Sequence, residues 1–561
     1  LDDAIKKCNI NSAGGIDGIS YKILKKVWGS LDHLILNAFL QDVQYGELRG
    51  TMSNVGVKLI PKKDDGTKIT NWRPISLFSV SYKIISSAVT NRLFSVINKL
   101  TTRSQCGFSR KRNLHMNICN MIQGINKVKR GGGKAFLIST DFKKAFDLLD
   151  HEFIIKSLKF FNFGENFCDI ISTMLKGRKG FIMLEDGLCP FFNFYSGSGQ
   201  GDPPSPLLFN ICIEILLLKI ELSQNIEDAY DKRVMNGLDR LFGYADDISV
   251  LVKQTIDNLQ LINTFFDHFK LISCLELNKN KSNITLINEN NVFRDYVVNN
   301  TSFPIVDQIN TLGFTINPNI EDLSSNYDKP IEKIIRHLEF WENFGLSIYG
   351  RANVVRTYGL SQLTHYLPVI PLRPDQIARI DSLFVNFIKK GDIISKDRIR
   401  ARKEDGGLGV PDTQTFQRSI TCQFFFKNYN IDTEIFNIIR SLMFGYNSLA
   451  YKHSNNIFNN YPIVSQLFKV RDSVLVDSIK KTKSYLNSNP FWLSSTLKKE
   501  DGAYPGIHKV SNDISKYEFI SNVTFFELIN ENSQYITIGR LREISGLEWN
   551  PFEYMELKRS F

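Results

Sequence analysis

Apolar and polar positions follow a helical period in some stretches of the chain and a strand-like pattern in others. Residues 1–50 are predicted to be helical, with a glycine-rich turn at 11–18. Residues 76–100 repeat apolar side chains at spacings of three and four, which predicts an amphipathic helix. Residues 55–60 and 134–141 are short apolar runs next to turn-forming residues, which predicts buried strands. From Glu321 onward the pattern is mainly helical and aromatic. The chain therefore contains both predicted helices and predicted strands.

Further apolar stretches extend this prediction. A helix is predicted to begin at Ala145 and to run through Leu158. Residues 211–220 are strongly apolar, but they include Glu214 and are far fewer than the ~20 residues that a membrane span requires. We therefore expect a buried core helix there and no membrane segment. Beyond residue 430 the sequence is polar, rich in Asn and Phe, and carries no recognisable chemistry.

Length and cysteine usage narrow the class of protein. A chain of 561 residues is too long for one hydrophobic core, so several domains are expected. The eight cysteines are scattered without a CxxC pair, which favours a reducing, intracellular compartment over a disulfide framework or a zinc site. The sequence opens at Leu1 without a basic-then-apolar run, so we expect no signal peptide and a chain cut from a longer reading frame.

Basic residues are concentrated in one segment. Residues 51–140 contain 16 Lys and Arg and only two acidic residues, whereas the whole chain has a net charge of +11. A local excess of this kind is typical of a surface that binds nucleic acid or nucleotide phosphate. A solvated basic face without a ligand is the alternative.

Two adjacent carboxylates, Asp246 and Asp247, lie between apolar flanks in the stretch FGYADDISVL. An Asp-Asp pair is ordinarily a turn or a helix cap. Here the flanks predict a tight strand–turn–strand, and Asp141 ends another apolar strand, so three carboxylates can meet. Carboxylates without His or Cys favour Mg²⁺, and such clusters suit two-metal phosphoryl transfer. The sequence predicts a site for two Mg²⁺ ions, with Mn²⁺ as the alternative, because cations would relieve the repulsion between the carboxylates.

Three motifs, in family order, resemble the palm motifs of reverse transcriptases. They are DFKKAFD from Asp141, GQGDPPSPLLF from Gly199 and YADD ending at Asp247. Further blocks that resemble this family are NWRPISL at 71–77, QCGF at 105–108, LNKNKS at 277–282 and TLGF at 311–314. QGDPPSPLLF together with GGLGVPD at 406–412 resembles the LINE-type, non-LTR retrotransposon branch. Short blocks are weak signals singly, but eight in order over roughly residues 1–415 are specific.

The resemblance implies an α+β, right-hand polymerase fold, with fingers, a palm built on an antiparallel sheet, a helical thumb and a mainly helical C-terminal extension. It implies that the protein copies RNA into DNA from a primer 3′-OH, in this family by target-primed reverse transcription. It implies that Asp141 and Asp246 ligate both metal ions, that Asp247 supports them and that the Phe142 carbonyl adds a ligand. Lys281 resembles the lysine that protonates the departing pyrophosphate. Without the resemblance, Lys281 is an ordinary surface lysine.

The resemblance also assigns a nucleotide pocket. Arg73 and one of Lys62 or Lys63 would hold the incoming triphosphate, because the Arg fork matches phosphate oxygens. Gln200 and Gly201 would line the nucleotide and template side, where glycine lets the backbone approach closely. The alternatives are a structural ion pair at Arg73 and a plain turn at Gln200 and Gly201.

Phe146 matches the steric gate of the family, a bulky side chain that excludes a ribose 2′-OH and so favours dNTPs over rNTPs. The alternative is an ordinary core phenylalanine at a helix start. The aromatic region after Glu321 is likewise either core or a surface on which bases stack.

The resemblance implies four regions: basic fingers with an N-terminal extension at 1–135, a palm with fingers insertions at 136–320, a helical thumb at 321–390 and a C-terminal extension at 391–561. Expected partners are an RNA template from its own element, a DNA primer or target, and dNTPs, with no membrane. The expected location is intracellular, in nucleus and cytoplasm as a ribonucleoprotein if the host is eukaryotic. The sequence does not predict an oligomeric state.

Three other functions are alternatives. A group II intron-type maturase reverse transcriptase is disfavoured by GGLGVPD. A palm-fold RNA-binding scaffold without catalysis would have no physical reason to keep three carboxylates, the basic pair and the aromatic gate. An RNA-dependent RNA polymerase is disfavoured by Phe146 and by YADD.

Overall fold

The computed structural model describes residues 1–12, 14–62, 66–109, 112–185, 187–230, 240–318, 323–428, 537–545 and 548. The chain divides into two compact units, Leu1–Asn319 and Ile320–Phe561, which are described separately. Helices and strands occur together in the first unit, which confirms the predicted α+β class. The boundaries of fingers, palm and thumb stay predictions.

The first unit contains both sheets that matter for function. Its helices are α1 Asp2–Lys7, α2 Tyr21–Lys26, α3 Trp28–Tyr45, α4 Val80–Leu100, α5 Leu114–Arg130, α6 Ala145–Leu148, α7 His151–Phe160, α8 Glu165–Leu175, α9 Ser205–Glu221, α10 Ile256–Ser273 and α11 Asn291–Asn300. Its strands are β1 Asn54–Pro61, β2 Trp72–Phe78, β3 Ala135–Thr140, β4 Lys179–Leu184, β5 Gly187–Leu188, β6 Phe192–Asn193, β7 Leu241–Tyr244, β8 Asp247–Lys253, β9 Asn283–Ile287, β10 Ile309–Thr311 and β11 Phe314–Ile316.

The central sheet has the order β7-β8-β3-β9, and every neighbouring pair is antiparallel. The first four residues of β3 are fully buried, as a strand covered on both faces should be. Phe136 and Ile138 of β3 belong to the same buried cluster as the apolar side chains of α9. Helix α9 is buried almost along its whole length and packs against α4, α7 and α10. The expected core helix at 211–220 is therefore present.

A second sheet has the order β2-β1-β4-β5, with β6 also paired to β4. Strands β1 and β2 are antiparallel and pair Ile60 with Arg73. Lys62 directly follows β1, and its N–H donates to the Asn71 carbonyl at 2.6 Å. The β1–β2 connection therefore brings Lys62 and Arg73 to the same end of this sheet.

Two predicted helices differ from the observed ones. The helix predicted over 76–100 begins later, because β2 extends into this stretch and the Ser79 side chain caps α4. The helix predicted from Ala145 through Leu158 is interrupted between α6 and α7. The cause is Asp150, whose carboxylate accepts a backbone N–H of the first turn of α7 at 2.7 Å and so starts a new helix.

The second unit is helical in its described part. It contains α12 Asp328–Glu342, α13 Ile348–Val354, a π-helical turn Val355–Gly359, α14 Pro374–Lys389, α15 Lys396–Arg400, α16 Thr413–Asn428 and α17 Ile538–Ser545. Arg356 donates to the carbonyls of Leu408 and Gly409 at 2.7 and 3.2 Å, which anchors the GGLGVPD block. Across both units, no helix of the described residues is both long and apolar enough to cross a membrane.

Candidate active site

The stretch FGYADDISVL forms the predicted strand–turn–strand. Tyr244 pairs with Asp247 across β7 and β8, so Ala245 and Asp246 form the turn and Asp247 begins β8. Ala245 has a φ of +56°, a left-handed conformation that a non-glycine residue rarely adopts. The turn is thus held in an unusual backbone conformation directly beside the first carboxylate.

Asp141 lies beside this turn at the end of β3. The register pairs Thr140 with Ile248, so Asp141 follows that pair on the side of Asp247. The Asn278 side chain donates to Asp141 Oδ2 at 3.2 Å, and the Asn278 N–H donates to the Asp141 carbonyl at 2.7 Å. Ser282 Oγ accepts the Asp141 N–H at 3.2 Å. The LNKNKS block therefore supports Asp141.

Lys281 Nζ lies 3.2 Å from Asp141 Oδ2. The Lys281 side chain is 66% exposed and the Asp141 side chain 26% exposed, so the pair lies at the rim of the site. The ammonium group of Lys281, a predicted site residue, therefore lies directly against the Asp141 carboxylate.

The three carboxylates affect one another electrostatically. Burial, and then the charges of Asp246 and Asp141, raise the pKa of Asp247 to about 6. Burial, with a contribution from the Asp141 charge, raises the pKa of Asp246 as well. Lys281 opposes both increases. A site that disfavours its own negative charge in this way is one that a bound cation would stabilise.

Mg²⁺ fits these residues in donor type and in charge. Among the described residues, no group of three or more His, Cys, Asp and Glu side chains is arranged to hold a metal ion by itself. Mg²⁺ is commonly bound by one or two carboxylates together with substrate phosphates and water. Asp141 and Asp246 are the carboxylates that would hold it, with the remaining positions open to phosphate oxygens.

Gln200 and Asp147 define the neighbouring pocket. Gln200 Nε2 donates to Asp147 Oδ1 at 3.2 Å. Burial raises the pKa of Asp147, whereas this hydrogen bond and the charges of Lys144 and Lys62 lower it. Lys62 is thus close enough to act electrostatically on this pocket. Asp147 was not predicted as a site residue, although it ends the DFKKAFD motif.

Gly201 has a φ of +111°, and a Cβ placed there would lie 2.7 Å from the Ser76 carbonyl oxygen. The Ser76 N–H donates to the Gln200 carbonyl at 2.7 Å. The close approach that glycine was expected to permit is made to strand β2, which also carries Arg73.

Phe146 packs against two other aromatic rings. Its ring centroid lies 4.9 Å from that of Phe209 and 6.4 Å from that of Phe108. Arg73 and Lys62 are exposed at the end of the second sheet. Lys63 lies outside the described residues.

A buried ion pair supports the GQGDPPSP loop. Arg178 Nη2 lies 2.7 Å from Asp202 Oδ2, and the two side chains are 3% and 1% exposed. The Tyr82 hydroxyl donates to the same carboxylate oxygen at 2.7 Å, and Arg178 also donates to the Ser198 carbonyl at 3.1 Å. Sequence reasoning missed this network, although Asp202 lies within a quoted motif.

Part of the basic segment has an internal role. Arg112 donates to a set of backbone carbonyls, those of Asn98, Thr101, Thr102 and Gln105. This guanidinium is used to stabilise a loop, so the excess of positive charge in residues 51–140 does not all face a ligand.

Residues 60–316 match the family described as "Reverse transcriptase (RNA-dependent DNA polymerase)". The chain therefore carries a reverse transcriptase domain, and this domain contains Asp141, Asp246 and Asp247. Enzymes of this family generally depend on divalent metal ions.

Several of the relatives are proteins of transposable elements. The chain is 27% identical over 421 residues, 73% of its length, to the transposon TX1 uncharacterized 149 kDa protein of Xenopus laevis. It is 22% identical over 72% of its length to the Pol polyprotein of the type-2 retrotransposable element R2DM of Drosophila melanogaster. A solved telomerase from Candida albicans is 12% identical, with 84% of this chain and 69% of that chain covered and a TM-score of 0.40. The matches cover 31% of the Xenopus protein and 38% of the Drosophila protein, so the chain spans about a third of these relatives.

Proposed function

We propose that this chain is the RNA-directed DNA polymerase of a non-LTR retrotransposon and that it acts in target-primed reverse transcription. The observation that supports this most strongly is the meeting of Asp141 with Asp246 and Asp247 at adjacent strand ends inside a reverse transcriptase domain. The relatives TX1 and R2DM support the retrotransposon assignment.

In this proposal Asp141 and Asp246 hold two Mg²⁺ ions, for which Mn²⁺ can substitute, with Asp247 and the Phe142 carbonyl in support. When bound, such ions lower the pKa of the attacking primer 3′-OH and stabilise the leaving oxygen. Asn278 and Ser282 keep Asp141 oriented toward the turn. Lys281, at 3.2 Å from Asp141, is placed to give a proton to the departing pyrophosphate.

The nucleotide lies between the two sheets in this proposal. Arg73 and Lys62, with Lys63 as the alternative lysine, hold the triphosphate from the end of the β1–β2 hairpin. Gln200 is fixed by its hydrogen bond to Asp147 and lines the base or template side together with Gly201.

Phe146 would exclude the ribose 2′-OH in this pocket. Its ring contacts the rings of Phe209 and Phe108, and these contacts would oppose movement away from the extra hydroxyl. Selection of dNTPs over rNTPs follows from this restricted movement.

The partners in this proposal are the RNA of the element, a DNA primer or target, and dNTPs. The basic residues of 51–140 that remain exposed would contact phosphates, so binding should weaken steeply as salt is raised. The proposal places the protein inside the cell, as a ribonucleoprotein in nucleus and cytoplasm if the host is eukaryotic.

Primer extension on an RNA template with Mg²⁺ tests the proposal. The wild type should incorporate dNTPs in preference to rNTPs, and Asp141→Asn should abolish extension. Asp267→Asn, which changes an exposed aspartate on α10, is the matched control and should leave extension unchanged. Binding of the template without extension in the wild type would instead favour a scaffold, and preferential use of rNTPs would favour an RNA polymerase.

A further inference from the structure

A segment outside the central sheet holds the turn that carries Asp246. Residues 101–108, here called the 101–108 segment, run beside β7. The Cys106 N–H donates to the Gly243 carbonyl at 2.8 Å, and the Gly243 N–H donates to the Ser104 carbonyl at 3.0 Å. A Cβ placed at Gly107 would lie only 2.4 Å from the Ala245 nitrogen. The segment therefore follows β7 closely into the turn.

Gln105 connects this segment to the turn through its side chain. The side chain is fully buried, and its Oε1 accepts the Ala245 N–H and the Gly107 N–H, both at 2.9 Å. Its Nε2 donates to the Ala245 carbonyl at 3.3 Å. One amide thus satisfies both backbone groups of the residue that precedes Asp246 and that has a φ of +56°. Because buried backbone groups require partners, this amide favours the observed turn over relaxed alternatives.

The 101–108 segment is itself anchored to the helices around it. Asn210 on α9 donates to the Gly107 carbonyl at 2.7 Å, and Glu214 on the same helix accepts the Thr102 N–H at 2.6 Å. Arg112 donates to the Gln105 carbonyl at 2.9 Å. Because these hydrogen bonds hold the 101–108 segment in place, the segment can in turn hold the turn at Ala245 and Asp246 in a fixed position.

We propose that Gln105 is a positioning residue for Asp246: its amide fixes the Ala245 backbone and thereby the place of the carboxylate. The inference rests on the proposed function for its catalytic consequence. Gln105 does not touch the reacting atoms and acts only through the turn.

The replacement Gln105→Met removes the amide and keeps a side chain of similar length. It leaves the Ala245 N–H and carbonyl buried without this partner, so the turn should relax and move the Asp246 carboxylate. A misplacement near 1 Å at a reacting centre costs on the order of 100-fold in rate, so we expect kcat to fall about 10- to 100-fold. The KM for dNTP should change less than about threefold, and more Mg²⁺ should be needed for half-maximal activity, because the defect lies at the metal ligand and not in the nucleotide pocket.

Gln123→Met is the matched control. Gln123 on α5 is 3% exposed, and neither of its amide atoms has a hydrogen-bond partner in the described part of the chain. The same chemical change there should leave kcat and the Mg²⁺ dependence unchanged. Gln105→Glu keeps an acceptor for the two N–H groups and loses the donor to the Ala245 carbonyl, so its kcat should lie between wild type and Gln105→Met.

Hydrogen–deuterium exchange provides a readout that does not need activity. Amides of residues 241–253 should exchange faster in Gln105→Met than in the wild type, while those of α9 should not change. If Gln105→Met fails to fold, the same exchange measurement is made on Gln105→Glu. Faster exchange of residues 241–253 in that variant supports the positioning role, and exchange equal to wild type overturns it. Exchange and kcat equal to wild type in the folded variant would overturn the positioning role. If the wild type itself does not extend a primer, the proposed function fails, and the exchange result still decides whether Gln105 holds the turn.

Discussion

Gly201→Ala tests how closely the GQGDPPSP loop must approach strand β2. The Cβ of alanine would lie 2.7 Å from the Ser76 carbonyl oxygen, and contacts under 3.0 Å are essentially not tolerated, so the loop must shift by at least 0.3 Å. The φ of +111° adds strain of about 1–3 kcal/mol for a residue that carries a side chain. Both effects act next to Gln200, which forms a hydrogen bond with Asp147.

We expect kcat/KM for dNTP incorporation to fall by about 10- to 100-fold, which corresponds to about 1.4–2.7 kcal/mol of lost transition-state stabilisation. The assay is single-nucleotide extension of a primer on an RNA template. Gly187→Ala is the matched control, because Gly187 has a φ of +138° and no described atom lies within 4 Å of a Cβ placed there. It carries comparable backbone strain without the contact to β2 and should retain activity. If Gly201→Ala and wild type have equal kcat/KM, the close approach of Gly201 to β2 is not required for activity. Equal losses in Gly201→Ala and Gly187→Ala would show that backbone strain alone, and not the contact with β2, causes the loss.

Three further predictions concern buried charges and the gate. Burial raises the pKa of Glu214 from 4.5 to about 7, so the folded state binds this proton more tightly and the free energy of unfolding falls as pH rises between these values. Glu214→Gln should therefore be more stable than wild type at pH above 7, by up to about 3 kcal/mol, and this gain should vanish below pH 4.5 in urea denaturation. Arg178→Met leaves the Asp202 carboxylate buried without its cation and should destabilise the fold by about 3–5 kcal/mol, whereas adding Asp202→Leu should recover much of this loss in the same denaturation experiment. Phe146→Val should raise the ratio of rNTP to dNTP incorporation at least tenfold in competition assays, about 1.4 kcal/mol of discrimination, and an unchanged ratio would show that Phe146 is only a core residue.

The carboxylate site was predictable because its signals are local. Asp141 ends an apolar run and Asp246-Asp247 interrupt another, so the strand pattern alone places them at strand ends. The sequence therefore indicated that the three carboxylates can meet, and the β3–β8 register brings the two strand ends together. The burial of residues 211–220 was predictable for the same reason, because exposing a continuous apolar run to water is unfavourable.

The supporting contacts were not predictable from sequence pattern. Gln105 and Ala245 are 140 positions apart, and Arg178 and Asp202 are 24 apart. Hydrogen bonds from a side chain to a distant backbone group leave no periodic signal, because they depend on how elements pack and not on the elements themselves. The interruption between α6 and α7 is different, because it has a local signal: Asp150 before His151 and Glu152 is a pattern typical of a helix start.

We propose that Asp246 is a metal ligand in an RNA-templated DNA polymerase. The most direct measurement is single-nucleotide dNTP incorporation on an RNA template as a function of Mg²⁺, for wild type, Asp246→Asn and the control Asp267→Asn. We predict Mg²⁺-dependent incorporation in wild type and Asp267→Asn, and loss by at least about 1,000-fold in Asp246→Asn, about 4 kcal/mol of transition-state stabilisation. Incorporation by Asp246→Asn at the wild-type rate and with the wild-type Mg²⁺ dependence would contradict the account.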